Sequence, residues 1–236
     1  GCMDEIVALI ADLVDRGLAY AAGGDVYFRV RGFPRYGELS GRRLDDMPDT
    51  DPGDLKEDPL DFALWKGLKE GEDAWWDSPW GPGRPGWHIE CSAMAQKELG
   101  TGFSVHGGGI DLVFPHHENE IAQSEGAGDA PFARIWMHNE MLELSDSKMS
   151  KSIGNIALLA DVVERWGAET VLTYFLQSHY RSRLPYSDER LRDAEAANER
   201  IRNAVRALDR AHFGAAAFAR AGIADNSVLY VVEKAA

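Results

Sequence analysis

The chain has 236 residues, 44% hydrophobic and 27% charged, a composition that predicts a globular protein with one large core or two modest ones. It has no run of about 18 apolar residues and opens with acidic rather than basic residues, so we expect no transmembrane helix, no signal peptide and a cytoplasmic location. The net charge of −14 argues against non-specific coating of nucleic acid. The only cysteines, Cys2 and Cys91, lie far apart in sequence, which argues against a disulfide framework.

The first third of the chain predicts one helix and two short strands. Apolar residues at helical spacing, ended by Gly17, predict a helix over residues 4–16. Residues 24–30 alternate apolar side chains after a Gly-Gly turn and predict a strand. Residues 33–61 are broken by four prolines and predict an irregular region with little core of its own. Residues 62–66 predict a short strand or turn.

Residues 75–87 contain four tryptophans, three prolines and three glycines, which exclude a regular helix. Two interpretations remain open from this segment alone. It is either a rigid surface loop held by buried tryptophans or the wall of an active site that leads into His88 and Cys91.

The middle of the chain alternates short strands with helices. The pattern predicts a helix over 88–99, a strand over 103–106 that runs into Gly107–Gly109, a helix opened by Pro115, and a strand pair or strand and turn over 135–144. This order favours an α/β fold with ligands bound at the carboxyl ends of the strands.

The last third is predicted to be helical. One helix ends at Gly167, a second follows it, and Ser187 caps a long amphipathic helix that begins a bundle. Residues 181–210 contain eight arginines and six acidic residues. This segment is either a face for RNA or an ordinary solvated helix surface.

One window contains residues suited to a metal ion. His116 and Glu120 are four residues apart, so a helix projects both from one face. Cys91 is the nearby soft ligand, and a set of cysteine, histidine and glutamate suits zinc. Pairs at this spacing are often only polar surface neighbours, and His117 is an alternative neighbour that points elsewhere on the helix.

Two further motifs suit a nucleotide. Gly107–Gly109 would let the backbone approach a ligand closely, and Asp111 could accept hydrogen bonds from a ribose. Lys148 and Lys151, three residues apart in a loop rich in serine and glycine, could surround a polyphosphate and stabilise leaving pyrophosphate.

Three segments together carry a family resemblance: GRPGWHIECSAM (83–94), HGGGIDLVFPHHENEIAQSE (106–125) and KMSKSIGN (148–155). The chain resembles cysteinyl-tRNA synthetase, a class I aminoacyl-tRNA synthetase, from about Asp4 to about Leu208. A related ligase, which joins cysteine to a glucosaminyl-inositol in mycothiol synthesis, shares several of these motifs but does not continue the helix as NEIAQSE.

The resemblance implies a set of site residues and substrates. Zinc would be bound by Cys91, His116 and Glu120, and would select the substrate thiol, while Trp87 and His88 would line the cysteine pocket. The residues facing ATP would be Gly109, Asp111, Lys148, Met149, Ser150, Lys151 and Ser152, with Lys148 and Lys151 in the catalytic role. The implied partners are L-cysteine, ATP with Mg²⁺ and tRNA(Cys), and the implied assembly is a monomer.

The resemblance also implies a domain organisation, and it shows which family motifs the sequence lacks. We expect residues 1–85 to be a connective insertion with only its first helix well defined, and 86–145 to be the second half of a Rossmann-like catalytic domain. Residues 146–186 would contain the KMSKS loop and its supporting helices, and 187–236 the start of a tRNA-binding helical bundle. The family's H-x-G-H signature and its upstream zinc cysteine are absent from the sequence. A catalytically incomplete zinc-binding fragment is therefore the alternative, with the cysteine–sugar ligase as a third.

Overall fold

The computed structural model describes residues 1–47, 55–128, 131–144 and 158–210. By its internal contacts the chain divides into two compact units, Gly1–Glu140 and Met141–Ala236. Within the described residues, no helix is both long and apolar enough to cross a membrane.

The first unit begins with a helix packed on an antiparallel sheet. Helix α1 (Met3–Asp15) turns Ile6, Leu9, Ile10 and Leu13 inward, as their spacing predicts. The sheet has the order β1-β2-β3-β4. Its strands are β1 (Ala19–Ala22), β2 (Asp25–Phe28), β3 (Phe62–Gly67) and β4 (Gly83–Pro85). Gly23 and Gly24, both with positive φ, form the two-residue turn between β1 and β2, where side chains would be strained.

The edge of this sheet leads directly into the next helix. A Cβ at Gly83 would lie 2.3 Å from the carbonyl oxygen of Lys66, so the close approach of β4 to β3 requires a glycine there. The backbone N–H of Gly86 donates to the carbonyl of Leu64 at 2.8 Å, and helix α2 (Trp87–Leu99) begins at the following residue. The start of α2 is thereby fixed to β3.

The rest of the first unit is a parallel strand pair with a helix between its strands. Strand β5 (Phe103–Gly109) pairs with β6 (Ala133–Asn139). Between them lie a 3₁₀ turn (Ile110–Leu112), a π-helical turn (Val113–His117) and helix α3 (Glu118–Gly126). One hydrophobic core joins α1, the antiparallel sheet, α2 and α3.

The second unit is mainly helical. Its elements are β7 (Leu142–Leu144), α4 (Leu159–Trp166), α5 (Ala168–Leu176), β8 (Leu184–Tyr186) and α6 (Asp188–Arg210). The hydroxyl of Ser187 accepts a hydrogen bond from the N–H of Arg190 at 3.3 Å, which confirms the predicted cap of α6. Leu191 and Ala194 are fully buried, whereas Ile201 is 58% exposed, so only the first part of the apolar stripe is covered.

Three expectations about local structure are wrong, and so is the account of the tryptophans in one of the two open interpretations of segment 75–87. The region 1–85 is well defined beyond its first helix, because it also contains the whole antiparallel sheet. Segment 33–61 contributes Phe33, Tyr36, Met47 and Leu60 to the core. The glycines 107–109 lie inside β5 rather than after it. The tryptophans of segment 75–87 are not all buried: Trp75, Trp76 and Trp87 are exposed, and only Trp80 packs against the core.

Candidate metal centre and substrate pocket

Two helix starts position the predicted metal ligands. The first turn of α2 places Trp87, His88 and Cys91 near one another, because residues three and four apart share a helix face. The π-helical turn continues directly into α3, and it places His116 and Glu120 on a common face. Both residues are buried, with exposed fractions of 4% and 0%.

The structure brings Cys91, His116 and Glu120 together. Their candidate ligand atoms all lie within 4.8 Å of one another. Nε2 of His116 is 2.9 Å from Oε1 of Glu120. Neither carboxylate oxygen of Glu120 receives a hydrogen bond of good geometry, although both are buried. A buried carboxylate without hydrogen bonds is costly unless something else neutralises it, and a cation does so.

A second set of ligands shares Glu120. The candidate atoms of His106, His117 and Glu120 also lie within 4.8 Å of one another. Nε2 of His106 is 3.2 Å from Oε2 of the shared carboxylate, and Nε2 of His117 is 4.0 Å from Oε1. The sequence pattern did not identify His106, because its place on a parallel strand opposite α3 is set by the tertiary fold.

Two histidine pairs orient the rings of the cluster. Nδ1 of His88 lies 2.7 Å from Nδ1 of His116. Nδ1 of His117 lies 2.7 Å from Nε2 of His138. His138 and Trp136 project from the same face of β6, since side chains alternate along a strand. His138 was also missed, because nothing in its local sequence indicates that it meets His117.

The surroundings favour neutral rings at His88 and His117 and an ionised Glu120. Burial lowers the pKa of His88 to about 4, with a further contribution from His116. Burial likewise lowers the pKa of His117 to about 4. Burial by itself would raise the pKa of Glu120, but its contacts with His106 and His116 outweigh that effect and lower it. Neutral imidazole and ionised carboxylate are the forms that bind metals.

The Cys91 thiol is held in its protonated form when no cation is present. Burial raises its pKa to about 11, and the charges of Glu120 and Glu90 raise it further. A thiolate next to these carboxylates therefore needs a cation to compensate its charge.

The predicted substrate residues lie beside this cluster. The ring of Trp87 stands 4.3 Å from that of His116, centroid to centroid, and the indole is 60% exposed. His88 packs edge-on against Phe62 of β3 at 6.0 Å. Trp87 and His88 thus form one wall of the space in front of the metal-binding groups.

The glycine run has a packing role. A Cβ at Gly108 would lie 3.0 Å from Cε1 of His117 and 2.9 Å from Leu112, so this glycine lets the imidazole lie against β5. Gly109 ends β5, and Asp111 is exposed in the 3₁₀ turn that follows. The predicted ATP-binding residues Lys148, Met149, Ser150, Lys151 and Ser152 lie outside the described residues.

The donor atoms fit zinc better than harder cations. Cys91 offers sulfur, His116 offers nitrogen and Glu120 offers oxygen, a combination typical of zinc and unlike the all-oxygen sites of Mg²⁺ and Ca²⁺. Three protein ligands around a tetrahedral ion leave one position for another group. The set of His106, His117 and Glu120 lacks a thiolate, so zinc should prefer the first set.

The fold is that of a class I tRNA synthetase. Mycobacterium tuberculosis methionyl-tRNA synthetase in complex with methionyl-adenylate aligns over 80% of this chain and 48% of its own, with a TM-score of 0.57 and 17% identity. Residues 1–196 match the family described as tRNA synthetases class I (C) catalytic domain. The chain belongs to this family.

Relatives with curated names show a more specific similarity within this family. The cysteine–tRNA ligase of Trichlorobacter lovleyi is 55% identical over 212 residues, which are 89% of this chain and 43% of the relative. That of Desulforamulus reducens is 56% identical over 211 residues, covering 87% and 43%. That of Geobacter sulfurreducens is 53% identical over 210 residues, covering 88% and 44%. The chain thus spans less than half the length of these relatives.

Proposed function

We propose that this chain provides the zinc-binding, cysteine-selecting part of a cysteine–tRNA ligase. The observation that carries the proposal is the convergence of Cys91, His116 and Glu120, in which neither oxygen of the buried carboxylate receives a hydrogen bond of good geometry. The identity to relatives named cysteine–tRNA ligase supports the same reading. We place the reaction in the cytoplasm, where its proposed substrates ATP and tRNA are available.

The proposed reaction has two steps. A carboxylate oxygen of L-cysteine attacks the α-phosphorus of ATP, the bond to the β-phosphate oxygen breaks, and pyrophosphate leaves. A hydroxyl of the terminal ribose of tRNA(Cys) then attacks the cysteinyl carbonyl carbon, loses its proton, and releases AMP. Such chemistry is accelerated mainly by positioning and by stabilising charge. We assign the charge stabilisation to Lys148 and Lys151, and the adenosine contacts to Gly109 and Asp111.

Selection of cysteine would depend on the metal centre. When bound, zinc supplies a soft Lewis acid that prefers the thiol of cysteine to the hydroxyl of serine. His88 would fix the ring of His116, and the exposed indole of Trp87 would cover the substrate side chain. The proposed tautomers follow from this arrangement. If Nε2 of His116 binds the ion, its Nδ1 carries the proton and donates to Nδ1 of His88.

The metal centre is tested by comparing the two cysteines. Purified Cys91→Ala should lose zinc after dialysis against a weak chelator, whereas Cys2→Ala should keep the zinc content of the unchanged chain. Metal analysis by mass spectrometry gives the stoichiometry. Equal zinc in both variants would refute the assignment of Cys91.

The reaction is tested by cysteine-dependent exchange of pyrophosphate into ATP. Exchange by this chain supports the full first step. Zinc binding without exchange would instead support the alternative of a catalytically incomplete fragment. An acceptor assay with tRNA(Cys) and with glucosaminyl-inositol separates the ligase from the cysteine–sugar ligase of mycothiol synthesis, and the names of the relatives lead us to expect tRNA.

A further inference from the structure

Residues 33–42, here called the clasp segment, contact helix α3 and the π-helical turn before it. Glu118, the first residue of α3, is only 1% exposed. Its two carboxylate oxygens accept hydrogen bonds from the backbone N–H of Gly37 at 2.9 Å and that of Ser40 at 2.8 Å. Hydrogen bonds to a carboxylate are among the stronger ones, so Glu118 fixes the start of α3 to the clasp segment.

The clasp segment presents these two donors because it turns at a glycine. Gly37 has a φ of +99°, and its carbonyl oxygen accepts a hydrogen bond from the N–H of Arg42 at 3.0 Å, which closes the turn. A Cβ at residue 37 would lie 2.1 Å from the carbonyl oxygen of Arg42. Only glycine therefore fits this turn, and the turn directs its N–H groups toward Glu118.

Tyr36 connects the clasp segment to both sides of the candidate site. Its buried hydroxyl donates to the side-chain carbonyl of Asn119 in α3. Its ring packs edge-on against Phe114, with 6.4 Å between the centroids, in the turn that carries the candidate histidine ligand. The same ring is stacked on Phe62 at 6.5 Å, and Phe62 packs against His88. One side chain thus contacts α3, the turn before it and the strand behind His88.

Two arginines of the clasp segment add contacts at either end of α3. The guanidinium of Arg42 lies 4.3 Å from the ring centroid of Phe114, before the helix. Nη1 of Arg35 is 2.5 Å from Oε2 of Glu125, near the end of the helix. The clasp segment therefore holds the stretch that carries the histidine and glutamate ligands from both of its ends.

We propose that the clasp segment positions His116 and Glu120 for the metal ion. Tyr36 and Glu118 are its positioning residues, since they make its buried polar contacts with α3. The inference rests on the proposed function, which assigns zinc to Cys91, His116 and Glu120. A metal site requires ligand distances within about 0.2 Å of their preferred values, so a small shift of α3 weakens binding.

Two buried tyrosines provide a matched test. Tyr36→Phe removes the hydroxyl that contacts Asn119 and keeps the ring. Tyr20→Phe makes the same change at another 8% exposed tyrosine of the first unit, whose hydroxyl contacts Asp61 and Glu57. Urea denaturation should show that both variants are destabilised, because each loses a buried hydrogen bond.

Zinc affinity should distinguish these two variants. Competition with a chromophoric chelator should show zinc binding about tenfold weaker in Tyr36→Phe, as for other groups that orient metal ligands. Tyr20→Phe should bind zinc like the unchanged chain. Unchanged affinity in Tyr36→Phe would overturn the proposal. Equal weakening in both variants would also overturn it, because it would show an effect of stability alone.

A second pair of variants tests the carboxylate. Glu118→Gln replaces one acceptor by an amide that faces a backbone N–H, so it loses one hydrogen bond and should bind zinc about tenfold more weakly. Glu38→Gln makes the same change at a 60% exposed position of the clasp segment and should bind zinc normally. In cobalt-loaded Glu118→Gln, the visible absorption of a tetrahedral site should weaken as well. Absorption and affinity equal to those of Glu38→Gln would refute the role of Glu118.

Hydrogen exchange of the backbone amides of α3 separates this inference from the proposed function. Without zinc, these amides should exchange faster in Tyr36→Phe than in Tyr20→Phe, because the helix has lost a local contact. Faster exchange in a chain whose zinc content is unaffected by Cys91→Ala would reject the metal centre and retain the positioning of α3. Zinc that depends on Cys91, with an affinity unaffected by Tyr36→Phe and Glu118→Gln, would retain the metal centre and reject the positioning role.

Discussion

Nδ1 of His88 lies 2.7 Å from Nδ1 of His116, so a residue at the start of α2 fixes the ring of a metal-ligand candidate in the turn that leads into α3. This contact leaves Nε2 of His116 directed toward Glu120, at 2.9 Å from Oε1. Partners that orient a ligating histidine contribute to metal affinity although they do not touch the ion.

We therefore predict that His88→Ala weakens zinc binding by about 10- to 100-fold without abolishing it. His88→Gln, which keeps a hydrogen-bond acceptor, should recover part of the loss. Competition with a chromophoric chelator measures the dissociation constants. His179→Ala, in the second unit, serves as the control and should bind zinc normally. Identical affinities for His88→Ala and the unchanged chain would remove the proposed orienting role.

Zinc affinity should depend on pH through the Cys91 thiol. Its pKa is raised to about 11 by burial first and by Glu120 and Glu90 next, so the thiol is protonated throughout the neutral range and zinc must displace a proton. Affinity should rise about tenfold per pH unit between pH 7 and pH 9, because one proton is released per ion bound. In Cys91→Ala, this component of the slope should disappear. A pH-independent dissociation constant in the unchanged chain would contradict the assignment.

Tyr20 should stabilise the first unit through its hydroxyl. The hydroxyl donates to Oδ2 of Asp61 at 2.8 Å and accepts from the N–H of Glu57 at 2.6 Å. Tyr20→Phe removes the hydroxyl that both partners contact. We therefore expect a loss of about 1–3 kcal/mol in the free energy of unfolding. Urea denaturation measures the change. Tyr180→Phe, at a 36% exposed position, should change the stability little.

The same buried hydroxyl should ionise at a higher pH than an exposed tyrosine. Burial raises the pKa of Tyr20 to about 12, with the neighbouring Asp61 adding to the effect. A raised pKa means that the folded state keeps its proton longer than the unfolded state, so the stability due to this group is complete below pH 10 and is lost as the pH rises toward 12. Ultraviolet titration of Tyr20→Phe should show one fewer tyrosine that ionises at high pH. An unchanged titration curve would contradict the assignment.

The core beneath α1 should be sensitive to loss of volume. Leu13 is fully buried and Leu99, at the end of α2, is 61% exposed. Leu13→Ala should therefore destabilise the chain by about 2–5 kcal/mol, because it removes buried surface and leaves a cavity. Leu99→Ala makes the same chemical change at the surface and should cost less than about 0.5 kcal/mol. Equal midpoints of chemical denaturation for the two variants would show that the α1 face does not stabilise the unit.

Sequence patterns predicted the longer elements, but they missed the short strands that form only by pairing with distant segments. The apolar spacing of α1 and the Ser187 cap of α6 act locally, so both predictions are confirmed. Strands β1, β4 and β8 span only three or four residues and exist through pairing with distant segments. Glycine disfavours strands, so the extension of β5 through Gly107–Gly109 was missed.

The candidate site was likewise predicted only where local sequence determines it. Cys91, His116 and Glu120 could be named from residue chemistry and helical spacing, and the structure places them together. His106 and His138 could not, since their positions depend on the pairing of β5 with β6. The assignments of Lys148 and Lys151 rest on motif resemblance alone and stay predictions.

The carboxylate of Glu120 belongs to both ligand sets, so the two sets are not independent of each other. Its Oε1 lies 2.9 Å from Nε2 of His116, and its Oε2 lies 3.2 Å from Nε2 of His106. A cation bound beside Cys91 would draw the negative charge of Glu120 toward itself, and a second cation at His106 and His117 would meet the repulsion of the first. A single substitution at Glu120 would therefore disturb both sets at once.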